Sequence, residues 1–153
     1  MLEFRAVPLE EEPAAALSAA MRDEMAELYE GMDLDGAAMP KAGPRELGPP
    51  GGTFLVGFED GQPVCCGGVK RLPDGSCEIK RMYVVPAARG RGVAVALLGA
   101  LEDAGRELGY ETARLDTGPR QPHAERMYRA AGYAPIANFN ANPVASFFGE
   151  KAL

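Results

Sequence analysis

The sequence has 153 residues, of which 46% are hydrophobic and 25% are charged, as in an ordinary globular protein. This length suits one domain, which we expect to span residues 1–153. The longest apolar run, residues 93–101, is far shorter than the about 18 residues that a transmembrane helix needs. We therefore expect neither a membrane span nor a membrane partner.

The amino-terminal stretch and the cysteines indicate the compartment. Residues 1–12 are acidic and carry no signal-peptide pattern. Cys65, Cys66 and Cys77 make an odd count without C-x-x-C spacing, which argues against a disulfide framework and against a zinc site. We therefore expect a cytoplasmic protein without a bound metal.

The net charge of −6 is distributed unevenly along the chain. Residues 1–30 hold eight acids and two bases, so the rest of the chain is neutral in sum. Residues 79–101 contain no acid that would pair with their four basic side chains, Lys80, Arg81, Arg89 and Arg91. Because the chain as a whole is acidic, nucleic acid is a poor partner for it. A compact polyanion such as a phosphorylated cofactor fits this local cationic segment better.

The first half of the chain predicts one helix and several strands. The helix starts at Pro13 and carries Leu17, Met21, Met25 and Leu28 at helical spacing. The predicted strands are 3–7, 53–59, 64–71 and 77–85, the last three joined by turns through Asp-Gly. The Gly/Pro-rich segment 31–52 is longer than an ordinary connection and is predicted to be a mobile or functional loop, such as a lid.

The second half alternates strands and helices. A helix begins near Gly92, shows an apolar stripe and ends at Gly109, which is predicted to be a left-handed cap. It is followed by a strand at 112–116, a helix at 122–131 and a last strand at 147–151. An antiparallel meander followed by strand, helix, strand and helix predicts an α/β fold, a mixed sheet with helices on both faces.

Residues 89–94 read Arg-Gly-Arg-Gly-Val-Ala and connect a strand directly to the long helix. The first N–H groups of a helix lack internal partners and bind phosphate oxygens when the approach is open. Gly90 and Gly92 keep the approach open, and Arg89 and Arg91 can add charge-assisted hydrogen bonds. Neither the Gly-Lys-Ser/Thr of a P-loop nor the third glycine of a Rossmann fingerprint is present.

This stretch resembles the acyl-CoA signature of the GNAT superfamily of N-acetyltransferases, Q/R-x-x-G-x-G/A, through Arg89, Gly92 and Ala94. The resemblance covers most of residues 53–133 in the family's order. Its other segments are 78–84, 115–118 and 121–133. It implies a GNAT-like fold with a splayed central strand, and an N-acetyltransferase that uses acetyl-CoA.

The resemblance also assigns the residues that would contact acetyl-CoA. The strand backbone at Met82 and Val84, with Tyr83 between them, would lie along the pantetheine arm, although these are also ordinary sheet residues. Gln121 stands where many relatives have an asparagine that bonds the pantetheine. The diphosphate would dock on Arg89, Gly90, Arg91, Gly92, Val93 and Ala94.

Glu78 precedes Arg89 by 11 positions, where several family members carry a general base. An amine with a pKa near about 10 must lose a proton before it attacks, so a base is useful. Strand alternation would place Glu78 on one face with Lys80 and Met82, unless a β-bulge intervenes. The alternative is a surface carboxylate paired with Lys80.

Tyr128 stands where the family's tyrosine points at the cofactor sulfur and protonates the leaving thiolate. The alternative is a helix-core aromatic. His123, the only histidine, is a second candidate base or an exposed side chain. Cys65 and Cys66 on a strand are predicted to be core residues rather than nucleophiles.

The sequence therefore predicts transfer of an acetyl group from acetyl-CoA to a primary amine, with a small molecule as acceptor. A non-catalytic acyl-CoA-binding sensor and a nucleotide-binding protein are the alternatives. The acidic first helix and segment 31–52 would border the acceptor, which favours a cationic amine unless the acids form a solvated face. Asn138, Asn140 and Asn142 would line that site or a homodimer contact.

Overall fold

The computed structural model describes residues 1–153 and has seven strands and three α-helices. The strands are β1 (Leu2–Ala6), β2 (Thr53–Glu59), β3 (Gln62–Arg71), β4 (Cys77–Val84), β5 (Thr112–Thr117), β6 (Ala134–Pro135) and β7 (Phe147–Ala152). The helices are α1 (Ala14–Leu28), α2 (Val93–Glu107) and α3 (Pro122–Ala130), with one 3₁₀ turn at Pro86–Ala88. No helix combines the length and the hydrophobicity needed to cross a bilayer.

The strands form one mixed sheet in the order β1-β2-β3-β4-β5-β7-β6. Every neighbouring pair is antiparallel except β4 and β5, which are parallel. The predicted α/β class is thereby confirmed. Only the two-residue strand β6 has no counterpart in the sequence analysis, because so short a strand carries no periodicity.

Each face of the sheet carries its own hydrophobic core. The stripe of α2, including Leu97 and Leu101, packs with Cys65 and Ile79 on one face, together with Tyr128 of α3. The other face lies under α1. Segment 31–52 contains no helix or strand and contributes the buried Leu47 to this second core.

The β2–β3 connection forms the predicted tight turn. Asp60 and Gly61 both have positive φ, at 51° and 81°, and Glu59 pairs with Gln62 across the turn. Two consecutive left-handed residues define the hairpin turn whose twist matches that of the flanking strands. The turn therefore fixes the register of the meander that carries β4.

Two irregularities of β4 shape the region beneath the helices. β4 pairs with β5 only at Cys77 and Glu78, so the two strands diverge beyond that point and leave an edge of β4 open. A β-bulge interrupts the pairing with β3, and Arg81 has a φ of 61°. The bulge reverses the alternation, so the predicted common face is wrong for Met82. That side chain packs with the α2 core, while Glu78 and Lys80 lie on the α1 face.

Candidate active site

A cavity of about 540 Å³ opens where β4 and β5 diverge. Its walls come from α1, the open edge of β4, the start of α2 and the inner face of α3. Segment 31–52 adds Met32, Leu34 and Met39. The cavity therefore joins the predicted phosphate loop to Tyr128 in one continuous space, whereas Glu78 does not line it.

The loop before α2 presents unused backbone donors to this cavity. The N–H groups of residues 92–95 donate to no protein acceptor, and no side chain caps the helix. Gly90 and Gly92 have φ values of 80° and 79°, and a Cβ at either position would meet only open space. Glycine is favoured there by the left-handed backbone, and the loop leaves room for an anion at the positive end of α2.

Both arginines of the loop have acidic partners, so the expectation that they lack one is wrong. Arg89 Nη2 lies 2.7 Å from Glu24 Oε2 of α1, and Arg91 Nη1 lies 2.9 Å from Glu59 Oε1 of β2. These partners are distant in sequence, so the local composition could not reveal them. Because all four side chains are partly exposed, each pair contributes little, about 0–1 kcal/mol. The guanidinium groups therefore remain available for a stronger anion.

The open edge of β4 leads from the phosphate loop into the cavity. Met82 and Val84 lie along this edge, where β5 has already diverged. Arg89 Nε donates to the Val84 carbonyl at 2.9 Å and thus ties the loop to the strand. Tyr83 is buried on the α1 face, and its side chain packs in the core beneath α1. The Cζ atom of Arg89 lies 5.6 Å from the centre of its ring.

Glu78 is fully buried on the α1 face of β4. Its Oε2 accepts hydrogen bonds from Lys80 Nζ at 3.0 Å and from Asn140 Nδ2 at 2.8 Å, while Oε1 has no partner. Burial raises the pKa of Glu78, nearby Asp116 adds to the increase, and Lys80 opposes it. The predicted pair with Lys80 thus exists, but it is buried rather than superficial.

Asp116 is the site residue to which the sequence analysis assigned no role. Its Oδ2 accepts from Asn140 Nδ2 at 2.7 Å and from Asn142 Nδ2 at 3.0 Å. Asp116 and Lys80 line the cavity, whereas Glu78 lies one layer behind them. The Asn140 amide therefore links the fully buried carboxylate to the one that lines the cavity, and of the three asparagines only Asn142 lines the cavity itself.

Tyr128 packs in the core and also reaches the cavity, so its predicted role as a proton donor stays a prediction. Its ring packs edge-on against Tyr133 at 6.2 Å, and its hydroxyl lies at the cavity, 3.7 Å from Met82 Sδ. Burial raises the pKa of Tyr128, and Asp116 adds to this effect. The phenol therefore stays protonated at neutral pH and can donate a proton.

The beginning of α3 borders the same cavity. Gln121 precedes the helix, and its Oε1 accepts a hydrogen bond from Tyr29 Oη at 3.1 Å. His123 is exposed and also lines the cavity. The structure thus places Gln121 beside the expected pantetheine path and leaves His123 in reach of the same space.

The cysteines are buried, as predicted. Cys65 and Cys66 have no exposed surface, and burial raises the pKa of Cys66 to about 12. A thiol in this state is a poor nucleophile at neutral pH. The geometry therefore does not support a covalent acyl-cysteine step.

Comparison with known proteins identifies the family. The acetyltransferase (GNAT) family model matches residues 9–133, which is most of the chain. The IAA acetyltransferase of Azospirillum brasilense is 36% identical over 111 residues, covering 70% of this chain and 72% of that protein. The chain belongs to the GNAT family and is an acetyltransferase that uses an acyl-CoA.

Solved structures support the same fold. A GNAT acetyltransferase from Staphylococcus aureus superposes with a TM-score of 0.78 at 15% identity, covering 99% of both chains. A GNAT acetyltransferase from Elizabethkingia anophelis, solved with acetyl-CoA bound, gives a TM-score of 0.69 at 13% identity, covering 99% of this chain and 98% of that one. At such low identity these similarities confirm the fold.

Proposed function

We propose that the protein transfers an acetyl group from acetyl-CoA to a primary amine of a small molecule. The observation that carries this proposal is the continuity of one cavity, from the unused amides of residues 92–95 to the hydroxyl of Tyr128 and the carboxylate of Asp116. One end offers donors for a diphosphate, and the other offers groups that move protons. This arrangement suits a reaction between a phosphorylated carrier and an amine.

Docking of the carrier uses groups that the fold leaves unused. The amides at the start of α2 would bind the diphosphate, with Arg89 and Arg91 exchanging their carboxylate partners for phosphate oxygens. The pantetheine arm would lie along the open edge of β4 at Met82 and Val84. Gln121 would border the arm once its amide turns from Tyr29.

Removal of a proton from the amine is assigned to Glu78. Its raised pKa brings the carboxylate closer to neutrality, where a base is most effective, and its Oε1 is free to accept the proton. Because Glu78 lies behind Lys80 and Asp116, the proton would pass by way of water or of the Asp116 carboxylate. The freed amine then attacks the thioester carbonyl; a C–N bond forms, the C–S bond breaks, and the nitrogen loses its second proton to water as the amide forms.

The leaving thiolate takes its proton from Tyr128. The thiolate of a thiol with a pKa of about 8.5 leaves readily and needs only modest help, so a positioned phenol is a sufficient acid. The contact between the Tyr128 hydroxyl and Met82 Sδ, where the open edge of β4 meets α3, supports this assignment. The resulting phenolate regains its proton from solvent or from the base.

An assay of CoA release against a panel of small amines tests the proposal. Acetyl-CoA affinity is measured in parallel by calorimetry. An acetyltransferase both binds acetyl-CoA and transfers its acetyl group, whereas a sensor only binds it. Release of CoA with at least one amine, and mass-spectrometric detection of the acetylated amine, is the expected result. Tight acetyl-CoA binding without transfer to any amine would instead identify a non-catalytic acyl-CoA sensor.

A further inference from the structure

Arg81 is a buried arginine without a close partner. Its side chain is 7% exposed, and its Nε and Nη1 atoms are buried and donate to no acceptor. The nearest acid is Asp35 of segment 31–52, whose Oδ1 lies 3.9 Å from Nη2 and whose side chain is 61% exposed. Arg81 nevertheless lines the cavity.

This isolation is costly for a guanidinium, which stays charged in proteins. A buried charged donor without an acceptor loses its hydration and gains nothing in return. An arginine is also the side chain best suited to bind a carboxylate through two parallel hydrogen bonds. The unused donors of Arg81 therefore indicate a ligand with a carboxylate, for which Asp35 is a distant substitute.

The cavity that Arg81 lines offers two other kinds of surface. Met25 and Leu28 of α1, with Met32 and Met39 of segment 31–52, form an apolar and adaptable wall. Asp116 supplies a carboxylate suited to an ammonium group. A cation, an apolar wall and an anion thus surround one space.

We propose that the acceptor is an amino acid with an apolar side chain, whose carboxylate binds Arg81 and displaces Asp35. This inference rests on the proposed function and specifies its substrate. The α-ammonium would lie toward Asp116, and its proton would pass to Glu78 by way of water or of the Asp116 carboxylate, which Asn140 holds beside Glu78. The apolar side chain of the amino acid would contact the apolar wall of Met25, Leu28, Met32 and Met39.

The wild-type enzyme provides the first test. L-methionine and L-methioninamide share the amine and the side chain, but only the acid carries a carboxylate. We expect kcat/KM to be about 10- to 100-fold higher for the acid, the factor that hydrogen bonds to a charged group supply. At neutral pH a larger fraction of L-methioninamide carries the free amine, so the amide is intrinsically the more reactive substrate. A preference for L-methionine must therefore come from binding of its carboxylate.

Two substitutions locate the effect. Arg81→Gln should abolish the preference by raising KM for L-methionine far more than KM for L-methioninamide, with acetyl-CoA affinity unchanged. Arg22→Gln is the matched control, because Arg22 Nη1 is also 3.9 Å from Asp35 but its side chain is 42% exposed and does not line the cavity. The control should keep the wild-type preference.

Equal kcat/KM for acid and amide in the wild type would overturn the inference and leave the proposed function standing. A preference that survives in a folded Arg81→Gln variant would also overturn it. If that variant does not fold, the wild-type comparison still decides. Transfer to no amine at all, with acetyl-CoA bound, would refute the proposed function itself.

Discussion

Replacement of Glu78 by glutamine separates a catalytic from a structural carboxylate. Glutamine keeps the size of the side chain and can still accept the hydrogen bond from Asn140, which spans 2.8 Å in the wild type. It removes the charge that Lys80 contacts at 3.0 Å and the ability to take up a proton. We expect kcat to fall by about 10²–10⁴-fold, the usual contribution of a general base.

That loss corresponds to about 3–5 kcal/mol of transition-state stabilisation. Stability should respond in a different way. Burial raises the folded-state pKa of Glu78, so the folded protein binds this proton more tightly than the unfolded chain does. The stabilising contribution is complete below the unfolded value of about 4.3 and is lost as pH rises through the folded pKa.

Glutamine does not titrate, so the free energy of unfolding of the Glu78→Gln variant should increase relative to wild type as pH rises. Urea unfolding at about pH 4 and about pH 8 measures this difference. Steady-state kinetics over the same range should show that the variant loses the rise of kcat/KM with pH that deprotonation of Glu78 produces.

Glu102→Gln is the matched control. Glu102 is buried and bonded to Lys151 Nζ at 3.0 Å and to Tyr133 Oη at 2.8 Å, but it does not line the cavity. Its replacement should lower stability and leave kcat unchanged. A near-normal kcat and an unchanged pH profile in Glu78→Gln would refute the assignment and transfer the role to His123 or to solvent.

Three further substitutions test the remaining roles. Arg89→Ala should weaken acetyl-CoA binding by about 10-fold or more, because a charge-assisted hydrogen bond to phosphate is lost. An unchanged Kd in calorimetry would contradict this prediction. Glu24→Gln should tighten acetyl-CoA binding modestly, since Arg89 loses its internal partner, and a weaker Kd would argue against exchange of partners. Tyr128→Phe should lower kcat by about 10²-fold with unchanged acetyl-CoA affinity, and full activity would exclude the phenol as the acid.

The sequence was sufficient for the features that arise from local chemistry. The Asp60-Gly61 turn, the stripe of α2 and the glycine-flanked loop each have a local cause, and each lies where it was predicted. The resemblance to the family added the divergence of β4 from β5, which periodicity alone could not indicate.

The β-bulge at Arg81 illustrates what local patterns miss. A single extra residue in β4 turns Met82 toward the α2 core and leaves Glu78 on the opposite face. Simple alternation therefore predicted the wrong face of the sheet for Met82. Bulges depend on the register with the neighbouring strand, which is a tertiary property. The bonds from Asn140 to Glu78 and Asp116 were equally inaccessible, because they join residues that are 62 and 24 positions apart.

The partners of the cationic segment explain why its net charge is a poor guide to its ligands. Arg89 and Arg91 have partly exposed carboxylate partners, and Arg81 has only a distant one. Each exposed pair contributes about 0–1 kcal/mol, whereas a hydrogen bond from a charged donor to a well-placed anion contributes about 1.5–3 kcal/mol. Exchange of partners is therefore favourable wherever a phosphate or carboxylate fits. In the proposed function, the acids of the amino-terminal half act as replaceable counterions, and an acidic protein binds one anion at the loop after β4 and another at Arg81.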